Sequence, residues 1–180
     1  MNEGEGSVLK PRIHESVFIA SGARIYGDVE IGRGASIWFN AVIRGDEGRI
    51  LIGSNTNIQD NAVVHSDGTI AVEIGDNVTV GHCAVIRGCK LGNSVMVGMN
   101  ATIMSGAEIG EYSTVGANSF IPYNKTFPPR SLIMGAPAKL VRELTCEETA
   151  VNDVTTQMYE QVIDKYRKGL IAGFEDRRLT

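Results

Sequence analysis

Every sixth residue of this chain from Ile25 to Ile121 is aliphatic with only a few breaks: Ile25, Ile31, Ile37 and Ile43, then Ile58 and Val64, then Ile74, Val80 and Ile86, then Leu91, Val97, Ile103, Ile109, Val115 and Ile121. Four residues after most of these positions stands something small or β-branched, such as Val29, Ala35, Ala41, Ala62 and Ala84, and glycine often follows directly, as at Gly32, Gly75, Gly98 and Gly110. A helix repeats every 3.6 residues and a strand every two, so neither alone explains a period of six. A β-solenoid does. Each hexapeptide supplies one short strand and one corner, the aliphatic side chain fills the interior, and glycine permits the tight turn. Three hexapeptides close one triangular coil, so residues three strands apart are stacked neighbours.

The chain of 180 residues is long enough for one domain with a continuous core. A net charge of −4 without any Lys/Arg cluster argues against nucleic acid or an anionic membrane as a partner. Cys83, Cys89 and Cys146 are odd in number and lack zinc-knuckle spacing, which reads as unpaired thiols in a reducing compartment. The polar start MNEGEGSVLKPR carries no signal-peptide run and no segment is apolar enough to span a bilayer, so the expected location is cytoplasmic.

The expected division is a leader over 1–16, the solenoid over 17–122, an extended segment over 123–144, a helix over 145–170 and a tail over 171–180. Three intervals break the repeat. Ile43 to Ile58 holds the insertion RGDEGRILIGSNTN, Val64 to Ile74 holds the short loop SDGTIAV, and Ile86 to Leu91 is one residue short. Loops between repeats of a solenoid tend to sit on one face and carry function. The prolines in PYNKTFPPR cannot join a central ladder, so the chain is expected to leave the coil after Ile121. Thr145 with Glu148 reads as a capping box, and Val151, Val154, Met158, Val162, Tyr166 and Leu170 follow at helical spacing, predicting an amphipathic helix packed on the solenoid.

Stacking places the polar residues. Ile43, Val64 and Ile86 are neighbours on one wall, so Arg44, His65 and Arg87 form an outward ladder at a spacing of about 4.8 Å. On another wall Ile58 stacks with Val80, which sets Asp60 beside His82. Arg44 lies in RGDE with Asp46 and Glu47, and Gln59 precedes Asp60. His14 reads as a surface residue apart from this constellation.

The phrases VIRGDEGRI, TNIQDNAVVH and VTVGHCAVIRGCKLG resemble the γ-class carbonic anhydrases of the hexapeptide-repeat family, and VGMNATIMSGAEIGEYSTVGANSFI with GAPAKLVREL is similar to the phenylacetate-degradation protein branch. The resemblance implies a single-stranded left-handed parallel β-helix and a homotrimer. It also implies Zn2+ or a similar divalent metal between subunits, and reversible hydration of CO₂. His65 and His82 match two metal ligands. Arg44 and Asp46 match an inter-subunit ion pair, Gln59 a residue that orients the metal-bound hydroxide, and Tyr159 a site-lining tyrosine.

The third ligand position is Arg87. Catalytic zinc takes three protein ligands and an open water site, and lowers the pKa of that water to about 7. Arginine is permanently protonated and donates only, so it repels a dication and leaves it under-coordinated. Cys83 adjoins His82 but alternates away from it, whereas Asp60 offers an oxygen ligand. CO₂ hydration is therefore expected to be weak or lost. Two alternatives stand beside it. One is an acyl-CoA thioesterase or acyltransferase with His65 or His82 as base. The other is a non-catalytic trimeric scaffold in which Arg87, held by Asp60, Asp46 or Glu47 across the interface, binds bicarbonate or an acyl carboxylate.

Overall fold

The aliphatic residues of the repeat stack in three columns, one for each wall of a triangular coil. On the first wall Ile25, Ile43, Val64, Ile86, Ile103 and Ile121 are parallel-strand partners in turn. On the second, Ile13, Ile31, Ile52, Ile74, Leu91, Ile109 and Phe127 pair in the same way. On the third the column is Ile19, Ile37, Ile58, Val80, Val97, Val115 and Ile133. The computed structural model describes residues 8–68 and 70–173 as a left-handed parallel β-helix of about seven turns with one C-terminal helix. Leader residues 1–7 and tail residues 174–180 lie outside the described residues.

The interior is a single apolar rod. Ile37, Ile43, Ile58, Ile86, Ile103, Ile121 and Ile133 are fully buried, and each contributes about 1.5–3 kcal/mol by leaving water. Ala35, Ala41, Ala62, Ala84 and Ala101 are equally buried where the triangle narrows.

The turns are made differently from the sequence expectation. Left-handed backbone is supplied at one corner by Asn40, Asn61, Asn100 and Asn118, with φ between 57° and 58°, since asparagine tolerates that region better than most residues. Cys83 takes the same turn position, with φ 60°, which leaves its thiol exposed. The glycine that follows the aliphatic residue serves close stacking instead. A Cβ on Gly98 would lie 2.5 Å from the Ala117 nitrogen of the next coil.

Strands Arg24–Ile31 and Val42–Ile52 run unbroken around the corner from the first wall to the second. Ile52 is itself a repeat position, partnered by Ile31 and Ile74, so the insertion lies wholly between Ile43 and Ile52. All three irregular intervals, 43–52, 64–74 and 86–91, therefore fall at one corner. Past Ile121 the chain does not leave the coil: Thr126–Phe127 and Ser131–Gly135 continue the second and third walls. Ala138–Glu143 then turns back antiparallel on Ser131–Gly135 and covers that edge.

The helix, Cys146–Arg167, begins with the expected capping box at Thr145 and Glu148. Its packed face keeps only Val162 and Tyr166 of the stripe read from the sequence. Val151, Val154 and Met158 are 53–59% exposed, whereas Thr156 and Ile163 are buried and Tyr159 and Tyr166 pack on Trp38 at ring distances of 5.1 and 5.9 Å. The coil presents an aromatic patch of Phe18, Trp38 and Phe39 at this place, and aromatic contact with it outweighs the aliphatic stripe. Arg142 holds Glu148 through two hydrogen bonds of 2.7 Å, tying the hairpin to the helix start.

Hydrogen bonding from Arg142, with a further one from the Thr145 backbone, holds the Glu148 carboxyl down at about 2 from 4.5. A depressed carboxylate stabilises the fold above its ordinary pKa and ceases to do so as pH falls through its folded value. Docking of the helix, followed by emission of the single tryptophan Trp38, is therefore expected to hold down to pH 4.5 and to fade toward about 2. Glu148→Gln should weaken docking already at neutral pH and flatten the acid profile.

Candidate functional site

Register brings the first group together. Arg44, His65 and Arg87 are consecutive strand partners on the first wall, as the stacking of the sequence predicts. His65 Nδ1 lies 2.8 Å from the Arg44 carbonyl oxygen and its Nε2 lies 3.0 Å from an Arg44 guanidinium nitrogen. A guanidinium donates and a carbonyl accepts, so the hydrogen-bond network assigns the proton to Nδ1 and leaves Nε2 as the acceptor. Arg44 also pairs with Asp46 within the same chain, and hydrogen bonding from Arg44 lowers the Asp46 carboxyl below its ordinary value. Asp46 and Glu47 approach the His65 ring at 3.9 and 3.7 Å.

A second group forms at the corner between the third and first walls. Asp60 Oδ2 lies 2.8 Å from His82 Nδ1, and Asp60 Oδ1 accepts the Phe39 N–H at 3.1 Å. The carboxylate fixes the His82 ring and directs its Nε2 lone pair away. Tyr159 reaches this corner from the helix: burial raises its phenol above the ordinary value, and the Asp60 charge raises it further. Gln59 is buried and donates to Asn57 Oδ1 at 3.0 Å, while Asn57 donates to Thr79 at 2.8 Å, so its amide is anchored in the third wall. Among the described residues no hydrogen bond or ion pair joins the two groups.

Arg87 is held by a residue that the sequence reading does not single out. Within the chain its partner is Asp67, at 3.1 Å, and not Asp60, Asp46 or Glu47. Ser105 donates to the other Asp67 oxygen, and these two hydrogen bonds, the one from Ser105 the stronger, keep the carboxyl below its ordinary value. Asp67 lies in the SDGTIAV loop and Gly88 in the shortened coil, so the breaks in the repeat are the signal that pointed here.

The donor set can be tested against a divalent metal. His65 and His82 each have an Nδ1 hydrogen bond behind the ring, the arrangement usual for metal-binding histidines, but only His82 Nε2 has its lone pair free, since His65 Nε2 accepts from Arg44. The third place is a guanidinium with no lone pair to offer. Among the described residues no three of His, Cys, Asp and Glu are grouped to hold an ion. Cys83 is exposed on the turn, and Cys89 is buried with its thiol pushed up to about 12 by desolvation, so neither thiol replaces the missing ligand. The residues present do not fit a three-ligand catalytic metal. A groove of about 610 Å³ lies on the second wall between Glu73, Lys90 and Phe127, and neither histidine lines it.

Residues 10–45 and 88–122 match the family described as bacterial transferase hexapeptide (six repeats). The chain is 54% identical over 136 residues to a Methanocaldococcus jannaschii protein named "Probable carbonic anhydrase", covering 76% of this chain and 86% of that protein. It belongs to the γ-carbonic anhydrase-like hexapeptide-repeat family. Identity to the mitochondrial gamma carbonic anhydrase 2 of Arabidopsis thaliana is 44% over 144 residues, covering 77% of this chain and 52% of the plant protein. This family member thus spans about half the length of its plant relative. A crystal structure of a hexapeptide transferase family protein from Anaplasma phagocytophilum is 39% identical with a TM-score of 0.84, covering 88% of this chain and 93% of that one. No helix among the described residues is long and apolar enough to cross a membrane.

Ser66, between His65 and Asp67, is fully buried and its hydroxyl has no hydrogen-bond partner among the described residues. An unmatched buried hydroxyl costs about 1–3 kcal/mol. Ser66→Ala is therefore expected to raise the stability measured by urea unfolding by about 1 kcal/mol. A destabilised variant would show that the hydroxyl is satisfied in solution.

Proposed function

We propose that this protein is a homotrimeric, cytoplasmic γ-carbonic anhydrase-like protein in which metal-dependent CO₂ hydration is weak or lost. The observation that carries the reading is Arg87, which stands where the family resemblance calls for a third ligand and is ion-paired with Asp67. His65 and His82 keep the hydrogen bonds that suit ligands, so the scaffold of the site is retained while its coordination is incomplete. In this reading Arg44 and Asp46 order the His65 corner, Gln59 and Asp60 hold the neighbouring corner, and Tyr159 covers it from the helix.

Elemental mass spectrometry tests this. The unmodified protein, purified without chelator, is expected to hold less than about 0.1 zinc per subunit, and Arg87→His about one, with CO₂ hydration appearing only in the zinc-loaded variant. Stoichiometric zinc in the unmodified protein would overturn the reading.

A second reading is favoured by the Asp60–His82 pair, whose 2.8 Å contact leaves His82 Nε2 available as a general base. In acyl transfer from coenzyme A, His82 Nε2 would take the proton of the hydroxyl or water as its oxygen bonds the acyl carbon, Asp60 would stabilise the imidazolium, and the C–S bond would break with the imidazolium returning that proton to the leaving thiolate. The transferase name of the Anaplasma relative accords with this. Thiol release from a panel of acyl-CoA esters is the assay. If the reading holds, His82→Asn lowers the rate by about 10²–10⁴, whereas no release from any ester refutes it.

A further inference from the structure

The coil between Ile86 and Leu91 is one residue short of the repeat, and Gly88 stands at the tightened corner with φ 48°. A Cβ at Gly88 would lie 3.0 Å from Asp67 Cβ, 3.0 Å from Ser105 Oγ and 3.1 Å from Ser105 Cβ. The corner is thus a notch across which side chains of the preceding and following coils meet. The Ser105 hydroxyl donates to Asp67 Oδ2, and Arg87, on the notched coil itself, donates from Nη2 to Asp67 Oδ1 at 3.1 Å. The backbone follows the same line: the Gly88 N–H donates to the His65 carbonyl at 3.0 Å, and the Gly106 N–H donates to the Gly88 carbonyl at 2.8 Å. One carboxylate therefore joins three successive coils, directly beside His65.

We infer that Gly88, Asp67, Ser105 and Arg87 form a clasp across three coils that fixes the His65 corner and takes up the Arg87 charge inside the chain. Arg87 then locks the corner, with its inner edge withheld from anions. Bidentate capture of a carboxylate or bicarbonate by the inner edge of a guanidinium uses Nε–H and Nη2–H together. Here Nη2 is engaged by Asp67, and Nε is shut off from solvent without a partner among the described residues, so that edge is closed to a soluble anion. The clasp also gives the missing residue a purpose. A sixth residue in this interval, or any side chain at Gly88, would push Asp67 and Ser105 apart. The inference rests on the reading of Arg87 as the occupant of the third ligand position.

Two NMR measurements on the full chain test it. In the first, amide exchange of Gly88 and Gly106 is compared with that of Gly98, which bonds the Val115 carbonyl at a distant corner. Asp67→Asn and the milder Ser105→Ala should each accelerate Gly88 and Gly106 by about tenfold or more while Gly98 is unchanged. In the second, the unmodified protein is titrated with bicarbonate and the Arg87 Nε–H resonance is followed, with no saturable shift expected. A saturable shift, or a Gly88 amide as protected in folded Ser105→Ala as before, overturns the clasp. Zinc content reports separately: stoichiometric metal in the unmodified chain defeats the parent reading, whereas unchanged exchange without metal defeats the clasp alone.

Discussion

Parallel strands hydrogen-bond at about 4.8 Å, and a chain that returns to the same wall every third strand has to keep that spacing at its corners as well as along its walls. Where the coils approach most closely a corner has no room for a side chain, as the 2.5 Å approach that a Cβ on Gly98 would make to the Ala117 nitrogen shows. Glycine accepts the closeness, asparagine accepts the left-handed turn, and the aliphatic column fills what remains inside. The outer face inherits the same ruler. Side chains on consecutive coils stand one rung apart, so what position 87 carries acts directly on His65.

That proximity decides the electrostatics of the site. His65 has Arg44 on one rung and Arg87 on the next, and the surrounding carboxylates are Asp46, Glu47 and Asp67. A divalent ion entering here meets two fixed positive charges, and one of them stands where a lone pair is needed. Each ion pair is substantially exposed, and exposed pairs contribute only about 0–1 kcal/mol apiece. Their effect is less on stability than on which charges the corner accepts. The Ser105 hydroxyl and the Gly88 backbone add direction to the Asp67 carboxylate, which a bare surface pair lacks.

Much of this was readable from periodicity alone, because a fixed period converts sequence distance into spatial stacking. The Arg44, His65 and Arg87 ladder and the Asp60–His82 contact both follow from it. What the sequence concealed has physical causes. Ile52 was hidden because three extra residues shift it out of phase with Ile43, and only its pairing with Ile31 and Ile74 restores it. Prolines at 122, 128 and 129 suggested an exit from the coil, yet they follow Phe120–Ile121 and Thr126–Phe127, the last strands of their walls, where no further coil stands to accept an N–H. The helix stripe misled because a run of aliphatics competes with tyrosines for an aromatic patch that belongs to a distant coil. Asp67 escaped notice because its partners, Arg87 and Ser105, are brought near by a deletion, and a deletion leaves no residue to see.

The Asp67 carboxylate bears on what a single exchange at position 87 can do. Facing Arg87 it accepts a charge-assisted hydrogen bond, and facing a histidine at the same place it would be positioned to accept an imidazole N–H, as carboxylates behind metal-binding histidines do. In both cases its second oxygen keeps the Ser105 hydroxyl. Either residue would thus offer the partly exposed Asp67 carboxylate a hydrogen-bond donor, so that an exchange between them leaves it paired. The coil beneath does not depend on what residue 87 carries, because the stacking that builds it is carried by Ile86 facing inward while residue 87 faces outward.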